Sequence, residues 1–334
     1  GRNRQGGTAG LGVSPGAGQP GMIFLWVEIL FAWLLFAAYR FRPDFLAAVT
    51  VLPAWIWLAA ALPGIWFLRR RRLAGGLFAL SWLLFAACHV EEPRSLVRGW
   101  IFPVEESSSA PVLRLVTLNC GGGQAAALGD LKPLRPDVIF LQEPPPRADV
   151  EHLVRELYGS EGAFLYDLDT AILVRGALDD VRRNGSRLFY SHAAAVLQGA
   201  DPVHLVSLRL ATGHVQVNLW NPDCWDTHYR HRRHQMAQLR EITETLPPDA
   251  ARIVAGDFNA PQGDKIFSLL GPRMSDAFAA AGRGLGNTLL NDRPVLRIDQ
   301  IWVSDEFAVL QAFARKSSAS DHRLVVADVT RQSQ

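Results

Sequence analysis

Three long apolar runs occupy the first ninety residues of the chain, and short polar segments separate them. The runs cover residues 23–39, 45–68 and 73–90, and Glu28 is the only Asp, Glu, Lys or Arg within them. As a helix, the 24 residues of the second run would extend about 36 Å, enough to cross a hydrocarbon core of about 30 Å. The pattern therefore predicts a transmembrane region over residues 21–90 with about three helices.

The residues inside these runs fit a bilayer better than a protein core. Six of the ten tryptophans fall in the runs, several near the ends, where the indole ring prefers the membrane interface. Pro53 and Pro63 lie in the second run, and proline is tolerated better in membrane helices than in soluble ones. A buried helical bundle would need more surrounding protein, and a cleaved signal peptide would explain the first run alone.

Polar segments lie on both sides of the apolar region. Residues 1–20 are rich in glycine, so we expect a flexible tail, and Met22 is an alternative natural start. Residues 91–111 are acidic and rich in serine and proline toward their end, which is typical of a linker. The remaining residues, 112–334, are expected to form a separate soluble domain.

The flanking charges predict an orientation. Arginine is enriched in cytoplasmic loops, and the strongest cluster, Arg69–Arg72, lies between the second and third runs. With this cluster in the cytoplasm, the first loop and everything after Val90 lie outside, although Arg94 and Arg98 oppose this assignment. We therefore expect a multi-pass protein of the cell membrane with an extracytoplasmic soluble domain.

The soluble domain alternates short apolar runs with amphipathic segments. Strands are predicted at residues 112–119, 137–142, 171–174, 193–197, 203–210, 215–220, 252–255, 298–303 and 324–329. Helices are predicted at residues 125–134, 149–157, 229–246 and 264–270. Many strands with helices spread between them indicate an α+β or layered α/β fold.

Charge and composition exclude several classes of protein. The net charge of +2 divides into +6 for residues 1–90 and −4 for the remainder. An acidic domain argues against a protein that coats nucleic acid generally. Three cysteines exclude a disulfide scaffold, and 49% hydrophobic residues exclude a mainly disordered chain.

Polar residues cluster at the ends of the predicted strands. A strand end holds such a side chain rigidly while the adjoining loop leaves it open to a ligand. The candidates are Asn119, Glu143, Asp257, Asn259, Asp299, Asp321 and His322. If these ends converge, several carboxylates meet, and they cannot all stay ionised without a cation. Oxygen ligands favour Mg²⁺ or Mn²⁺.

The ordered motifs LNCGGG, DVIFLQE, AGDFNAP, RIDQIWVS and SDHRLVVADV resemble those of the endonuclease/exonuclease/phosphatase superfamily. The resemblance covers about residues 112–329 and implies a four-layered αββα sandwich with metal-dependent phosphodiesterase activity. The apolar runs resemble the anchors of a bacterial membrane-bound subset. The resemblance implies that Glu143 binds the divalent cation, that Asp321 is a second carboxylate near it, and that Asn119 forms hydrogen bonds beside it.

The resemblance also implies catalytic roles for four residues. Asp257 would orient or deprotonate the attacking water, and Asn259 would bond a phosphate oxygen. His322 would stabilise charge on the phosphate, with Asp299 as the carboxylate that fixes its tautomer.

One position departs from the family pattern. The family usually has a second histidine at the end of a central strand, before an Arg-x-x-Gln helix. We assign that strand to residues 215–220, so that Trp220 or Asn221 replaces the histidine, and His228 is another candidate to replace it. Asn221 is expected to hydrogen-bond phosphate, and Arg232 belongs to a basic helix that would contact substrate.

The sequence thus predicts a membrane-anchored, metal-dependent hydrolase of phosphodiester bonds, in nucleic acid, phospholipid or a small phosphoester. No obligate protein partner is inferred. The alternative is a non-catalytic or weakly active protein of the same fold that binds its ligand, because the second histidine is absent.

Overall fold

The computed structural model describes residues 19–66, 72–101, 111–182, 190–197, 201–213 and 216–332. Two sequence predictions lie largely outside these ranges. They are the glycine-rich tail, of which residues 1–18 are not described, and the arginine cluster, of which Arg72 alone is described.

The first apolar run forms helix α1 (Gln19–Phe41), and the third forms α4 (Arg72–His89). The two helices pack against each other around Leu25, Leu35 and Phe85. Among the described residues, Gly21–Phe41 is long and apolar enough to cross a membrane by itself. Up to three spans result if each of two bent helix pairs counts as one.

The second run is broken rather than continuous. It forms a 3-10 helix (Asp44–Leu46), α2 (Ala47–Thr50), a second 3-10 helix (Ala54–Ala61) and α3 (Leu62–Ile65), with a 71° bend. Pro53 explains the break, because proline has no N–H to donate and keeps the preceding residue out of the helical region. Pro63 lies in the first turn of α3, where its missing N–H costs nothing.

The expected linker begins as a helix. Residues Glu92–Ile101 form α5, which follows α4 after a 67° bend. Its polar and apolar faces alternate with helical period, and Ser95 is buried where the helix meets the soluble domain.

Eleven strands among the described residues form the soluble domain. They are β1 (Val112–Asn119), β2 (Val138–Gln142), β3 (Gly162–Tyr166), β4 (Thr170–Arg182), β5 (Tyr190–Leu197), β6 (Val203–Arg209), β7 (Arg252–Asp257), β8 (Met274–Asp276), β9 (Asp299–Ser304), β10 (Phe307–Arg315) and β11 (Leu324–Arg331). The helices are α6 (Arg147–Tyr158), α7 (Pro222–Glu244) and α8 (Ala277–Ala281), with 3-10 helices at Ala125–Asp130, Lys132–Leu134, Gly159–Glu161 and Lys265–Leu270.

The strand order is β10-β11-β1-β2-β4-β5-β6-β7-β9-β8, and β3 pairs with β4. The long strand β4 pairs with β2 along its first half and with β5 along its second, so it joins two half-sheets. Alternate side chains of both half-sheets, such as Phe140 and Ile253, form one core between them. Helix α6 covers one outer face and α7 covers the other. These four layers confirm the predicted αββα sandwich.

One predicted strand is wrong. The described residues between 216 and 220 form no strand and end in a turn before α7. The central strand that precedes α7 is β6, which pairs with β7 in parallel. The described residues of VQVNLW form a loop despite their alternating pattern. The backbone carbonyl and N–H of Gln216 in this loop both contact the buried ring of His228.

Buried ion pairs join the apolar region to the soluble domain. Arg297 contacts Glu91 at 2.9 Å and Asp276 at 2.7 Å. Arg232 contacts Asp264 at 2.8 Å and donates to the Thr50 hydroxyl at 2.6 Å. The loop after α1 and the segment after α4 therefore meet the same domain.

Candidate active site

The sheet pairing brings the predicted strand ends to one edge of the sandwich. Strands β1 and β2 are parallel, so Asn119 lies beside Gln142, and Glu143 follows it. In the other half-sheet, Asp257 at the end of β7 lies beside Asp299 at the start of β9. Because the half-sheets stack face to face, the two pairs meet across the sandwich.

Asn119 forms the link between the two half-sheets. Its amide nitrogen donates to Glu143 Oε1 at 3.2 Å and to Asp257 Oδ2 at 3.1 Å. Asn259 holds the same carboxylate from the other side, through its backbone N–H at 2.9 Å from Oδ1 and its side-chain amide at 3.1 Å from Oδ2. The carboxylate of Asp257 is thus fixed by three donors.

A glycine turn shapes the region around Glu143. The N–H of Gly121 donates to Asn119 Oδ1 at 3.0 Å, and the N–H of Gly122 donates to Glu143 Oε2 at 2.6 Å. Gly121 has φ +56°, and a Cβ there would lie 2.8 Å from Asp321 Oδ1. Position 121 therefore requires glycine, because a Cβ would clash with Asp321 and a positive φ is unfavourable for other residues. Without it, Asn119, Glu143 and Asp321 could not approach the turn this closely.

The Asp299–His322 pair forms the other side of the site. His322 Nδ1 lies 2.8 Å from Asp299 Oδ2, and Thr288 Oγ1 accepts from the N–H of Asp299 at 3.1 Å. Ser320 Oγ accepts from the N–H of His322 and donates to the carbonyl of Asn119. Burial acts to lower the pKa of His322, but the charge and hydrogen bond of Asp299 outweigh it and raise the pKa to about 10. The imidazole is therefore held as a cation at neutral pH.

Burial also changes the chemistry of Asp257. Desolvation, and then the nearby charge of Asp299, raise the pKa of Asp257 well above its usual range, and His322 opposes the shift. A carboxylate with a raised pKa is a stronger base than one in water, which suits it to accept a proton.

Arg209 belongs to this group of side chains and was missed by the sequence analysis. It ends β6 and lies beside Asp257 in the register of β6 and β7. Its guanidinium contacts Glu143 Oε1 at 2.9 Å and Asp169 Oδ2 at 3.1 Å, and its Nε is buried without a hydrogen-bond partner among the described residues. Since β6 is the strand before the Arg-x-x-Gln helix, Arg209 holds the strand-end position that we assigned to Trp220 or Asn221.

The signal for Arg209 was present in the sequence. Residues 203–210 were predicted as a strand, and an arginine near its end is a polar strand end like the others. The regular alternation in residues 215–220 favoured that segment as the central strand. The pairing of β6 with β7 is a tertiary contact, and hydrophobic alternation does not predict it.

Two predicted substrate-binding residues lie away from this group. Asn221 caps the N-terminus of α7, where its side chain accepts from the N–H of Asp223 at 3.0 Å. Arg232 is buried in the contact with the apolar region. His228 is also buried and contacts the backbone of Gln216. The structure brings the other seven predicted residues together and leaves these two out.

The charges of the site leave room for a cation. Its acids are Glu143, Asp169, Asp257, Asp299 and Asp321, and its cationic side chains are Arg209 and His322. Asp299 Oδ1 is buried without a hydrogen-bond partner among the described residues. A site with more carboxylates than cations fits a divalent ion with oxygen ligands.

Two arrangements of ligand atoms compete for that ion. Asp257, Asp299 and His322 each offer one atom within 4.8 Å of the others. A protonated imidazole, however, has no lone pair to give a metal. The oxygen donors around the glycine turn, Glu143, Asn119 and Asp321, therefore fit a hard cation better.

Comparisons with known proteins identify the family and the fold of the chain. Residues 116–322 match the sequence model of the Endonuclease/Exonuclease/phosphatase family. No curated protein sequence matches the chain.

Three solved structures share the fold at low sequence identity. An endonuclease/exonuclease/phosphatase family protein from Bacteroides thetaiotaomicron is 13% identical with a TM-score of 0.53, covering 68% of this chain and 97% of its own. Humanized D. rerio TDP2 is 18% identical with a TM-score of 0.50, covering 66% and 99%. A mannosyl-6-phosphatase from B. thetaiotaomicron is 13% identical with a TM-score of 0.50, covering 65% and 99%.

Proposed function

The chain belongs to the endonuclease/exonuclease/phosphatase family, and from this premise we propose that it is a membrane-anchored phosphodiesterase that uses Mg²⁺ or Mn²⁺. The observation that carries the proposal is the hydrogen bonding of Asn119 to both Glu143 and Asp257. It places the oxygen donors for a cation directly beside a buried base. The Asp299–His322 pair completes an arrangement suited to attack at phosphorus.

Glu143, Asn119 and Asp321 would hold the cation, which when bound supplies Lewis acidity toward a phosphate oxygen. Asp257 is the residue that accepts a proton from the attacking water. Asn259 keeps the Asp257 carboxylate in one orientation, because it donates to both of its oxygens.

The cationic side chains would act on the phosphate. His322 donates a hydrogen bond from its free Nε2, and Asp299 keeps the ring oriented and charged. Arg209 supplies a second cation from the half-sheet across the site from His322. Its buried Nε–H forms no hydrogen bond with the described residues. An arginine fork matches phosphate oxygens, so this strand end retains a cationic group where the family usually has histidine.

The non-catalytic alternative rested on an uncharged residue at that strand end. With Arg209 there, its main support is removed, and it becomes an outcome of the activity test. The substrate remains to be chosen among nucleic acid, phospholipid and small phosphoesters.

A panel of substrates tests the activity. The full chain in detergent is assayed on DNA, sphingomyelin-like lipid and inositol phosphate, with Mg²⁺, Mn²⁺ or EDTA. We expect hydrolysis of at least one phosphodiester, lost with EDTA and reduced about 10²–10⁴-fold in Asp257→Ala and His322→Ala. The exposed residues Asp292 and His152 give matched controls, Asp292→Ala and His152→Ala, expected to keep full activity. Equal activity in all five proteins would overturn the assignment.

The membrane anchor is the second part of the proposal. The loop after α1, through Asp44, and the segment after α4, through Glu91, both contact the soluble domain. They must lie on one side of the membrane, so an even number of crossings separates them. One or three spans satisfy this condition, and two do not.

With three spans, Arg69–Arg72 lie between the second and third crossings, on the side opposite the soluble domain, so the positive charge in the cytoplasm places the domain outside it. Protease added to intact cells should then digest the domain. Digestion only after the cells are opened would reverse the orientation.

A further inference from the structure

A cavity of about 360 Å³ lies between the apolar region and the soluble domain. Its walls come from the ends of α1 and α4, the start of α5, the loop after β7 and the start of β9. It is separate from the candidate active site, and none of the residues assigned to catalysis or cation binding lines it.

Arginine dominates the charge of this junction cavity. Arg40, Arg42, Arg94 and Arg297 line it, against the two acids Glu91 and Asp276. Both acids already bind Arg297 through pairs of hydrogen bonds. Arg297 and its two acids together carry one negative charge. The other three arginines that line the cavity outweigh it, so the cavity is electropositive.

Three residues that line this cavity also have unsatisfied polar atoms. Arg42 Nη1, His89 Nε2 and Gln262 Oε1 are buried and have no hydrogen-bond partner among the described residues. The carboxylate oxygen of Asp264 lies 4.0 Å from Arg42 Nη1, beyond hydrogen-bonding distance. Buried polar groups are normally paired with protein or ordered water, so these atoms have hydrogen-bonding capacity that a polar ligand can use.

Arg42 is held in place for such a ligand. Its Nη2 donates to the carbonyl of Gln262 at 2.9 Å, and its guanidinium lies 5.4 Å from the centre of the Tyr39 ring. Its side chain is 12% exposed, and its backbone has φ +42°, which is uncommon for a residue other than glycine. A strained arginine whose Nη1 forms no hydrogen bond with the described residues is suited to act as a ligand clamp.

The position of the cavity identifies the ligand. It opens where α1 ends, and Phe41 and Phe45 beside it are 72% and 68% exposed. Exposed apolar rings at the end of an apolar helix fit contact with the edge of the hydrocarbon core, next to the lipid headgroups. We propose that the junction cavity binds the phosphate headgroup of an anionic phospholipid from the leaflet that faces the soluble domain, while the acyl chains lie along α1.

The bound lipid would touch the loop that carries Asn259. Gln262 and Gly263 follow Asn259 in that loop, and a Cβ on Gly263 would lie 3.2 Å from Arg42 Nη2. A headgroup on Arg42 would therefore stabilise a loop that is shared with the active site.

Native mass spectrometry of the full chain in detergent tests the proposal, with phosphatidylglycerol and phosphatidylcholine as probes. We expect wild type to retain phosphatidylglycerol in preference. Arg94→Gln should weaken retention about fivefold, as expected for one arginine at a lipid surface, and Arg42→Gln should weaken it about tenfold. Arg94 is exposed, so its variant should fold even if Arg42→Gln does not.

Arg233→Gln removes the same charge from the same junction but outside the cavity, and it should retain phosphatidylglycerol like wild type. Asp257→Ala should also retain it, which keeps this proposal separate from the catalytic one. Equal retention in wild type, Arg42→Gln and Arg94→Gln would overturn the proposal. Displacement of the lipid by inorganic phosphate at similar concentration would also overturn it, because the site would then select free phosphate.

Discussion

The active site and the ion pairs of Arg297 and Arg232 at the junction both bury charged side chains, but they balance charge differently. At the junction, Arg297 is 1% exposed and is bound by two carboxylates, while Arg232 is bound by Asp264. In the active site, carboxylates outnumber cations, and Asp299 has a buried oxygen without a described partner.

This difference separates structure from function. A buried ion pair with matched partners avoids the cost of an isolated charge and fixes how two parts of a protein meet. A cluster with an excess of one charge is destabilised in the folded protein by burial and by repulsion between like charges. Binding a ligand of opposite charge relieves this destabilisation. Mutations in the active site should therefore lower catalytic activity, and mutations of the junction ion pairs should lower the free energy of unfolding.

The largest effect is expected from Asp299→Asn. The substitution removes the carboxylate charge that orients His322 and stabilises its protonated form. We expect kcat to fall about 10⁴-fold, as when the histidine of an Asp–His pair loses its carboxylate partner. The melting temperature should change little, since the amide fills the same space. A full kcat with a lower melting temperature would show that Asp299 serves structure and would remove the contrast between the clusters.

Arg297→Met tests the opposite behaviour. It leaves Glu91 and Asp276 as buried, uncompensated acids and should lower the free energy of unfolding by about 3–5 kcal/mol. Thermal unfolding in detergent measures this loss. Adding Glu91→Gln and Asp276→Asn should restore much of the stability, whereas no recovery would mean that packing of the arginine stem, rather than charge, stabilises the junction.

Arg209→Gln sharpens the comparison from within the active site. If Arg209 contacts the substrate phosphate as proposed, its loss should raise KM about 10–100-fold. It should also tighten Mn²⁺ binding, because Glu143 loses its competing partner. Titration followed by electron paramagnetic resonance measures the Mn²⁺ affinity without any turnover. Arg209→Lys should lie between wild type and Arg209→Gln, and weaker Mn²⁺ binding in Arg209→Gln would contradict this account.

The smallest effect is expected for an exposed pair. Arg155 contacts Glu151 at 3.1 Å on α6, with both side chains at least 45% exposed. Arg155→Ala should change the free energy of unfolding by less than about 1 kcal/mol, because water screens such a pair. A loss as large as that of Arg297→Met would show that burial does not determine the strength of these pairs.

Much of the candidate site could be predicted from the sequence because its residues mark strand ends. Asn119, Asp257 and Asp299 follow or begin apolar runs that only a buried strand satisfies. The αββα sandwich follows from the same runs with the family motifs, and the comparisons confirm it. The first apolar helix could be predicted because helix length and apolar composition are local properties.

The rest depended on contacts that are distant along the chain. Arg297 meets Glu91 206 residues away, and Arg232 meets Thr50 182 residues away. Nothing in the sequence near Arg232 distinguishes an arginine that binds substrate from one that joins two regions. The break at Pro53 was likewise undecided, because proline is compatible with a membrane helix and with its end.

The sequence by itself determined which chemical groups the protein has and which of them end strands. The tertiary structure alone decided which groups meet: that Arg209 rather than Trp220 or Asn221 ends the central strand, and that Arg232 belongs to the junction. The physical reason is that hydrophobic periodicity is set by near neighbours, whereas the balance of a buried charge is set by whichever side chains the fold places within a few ångströms.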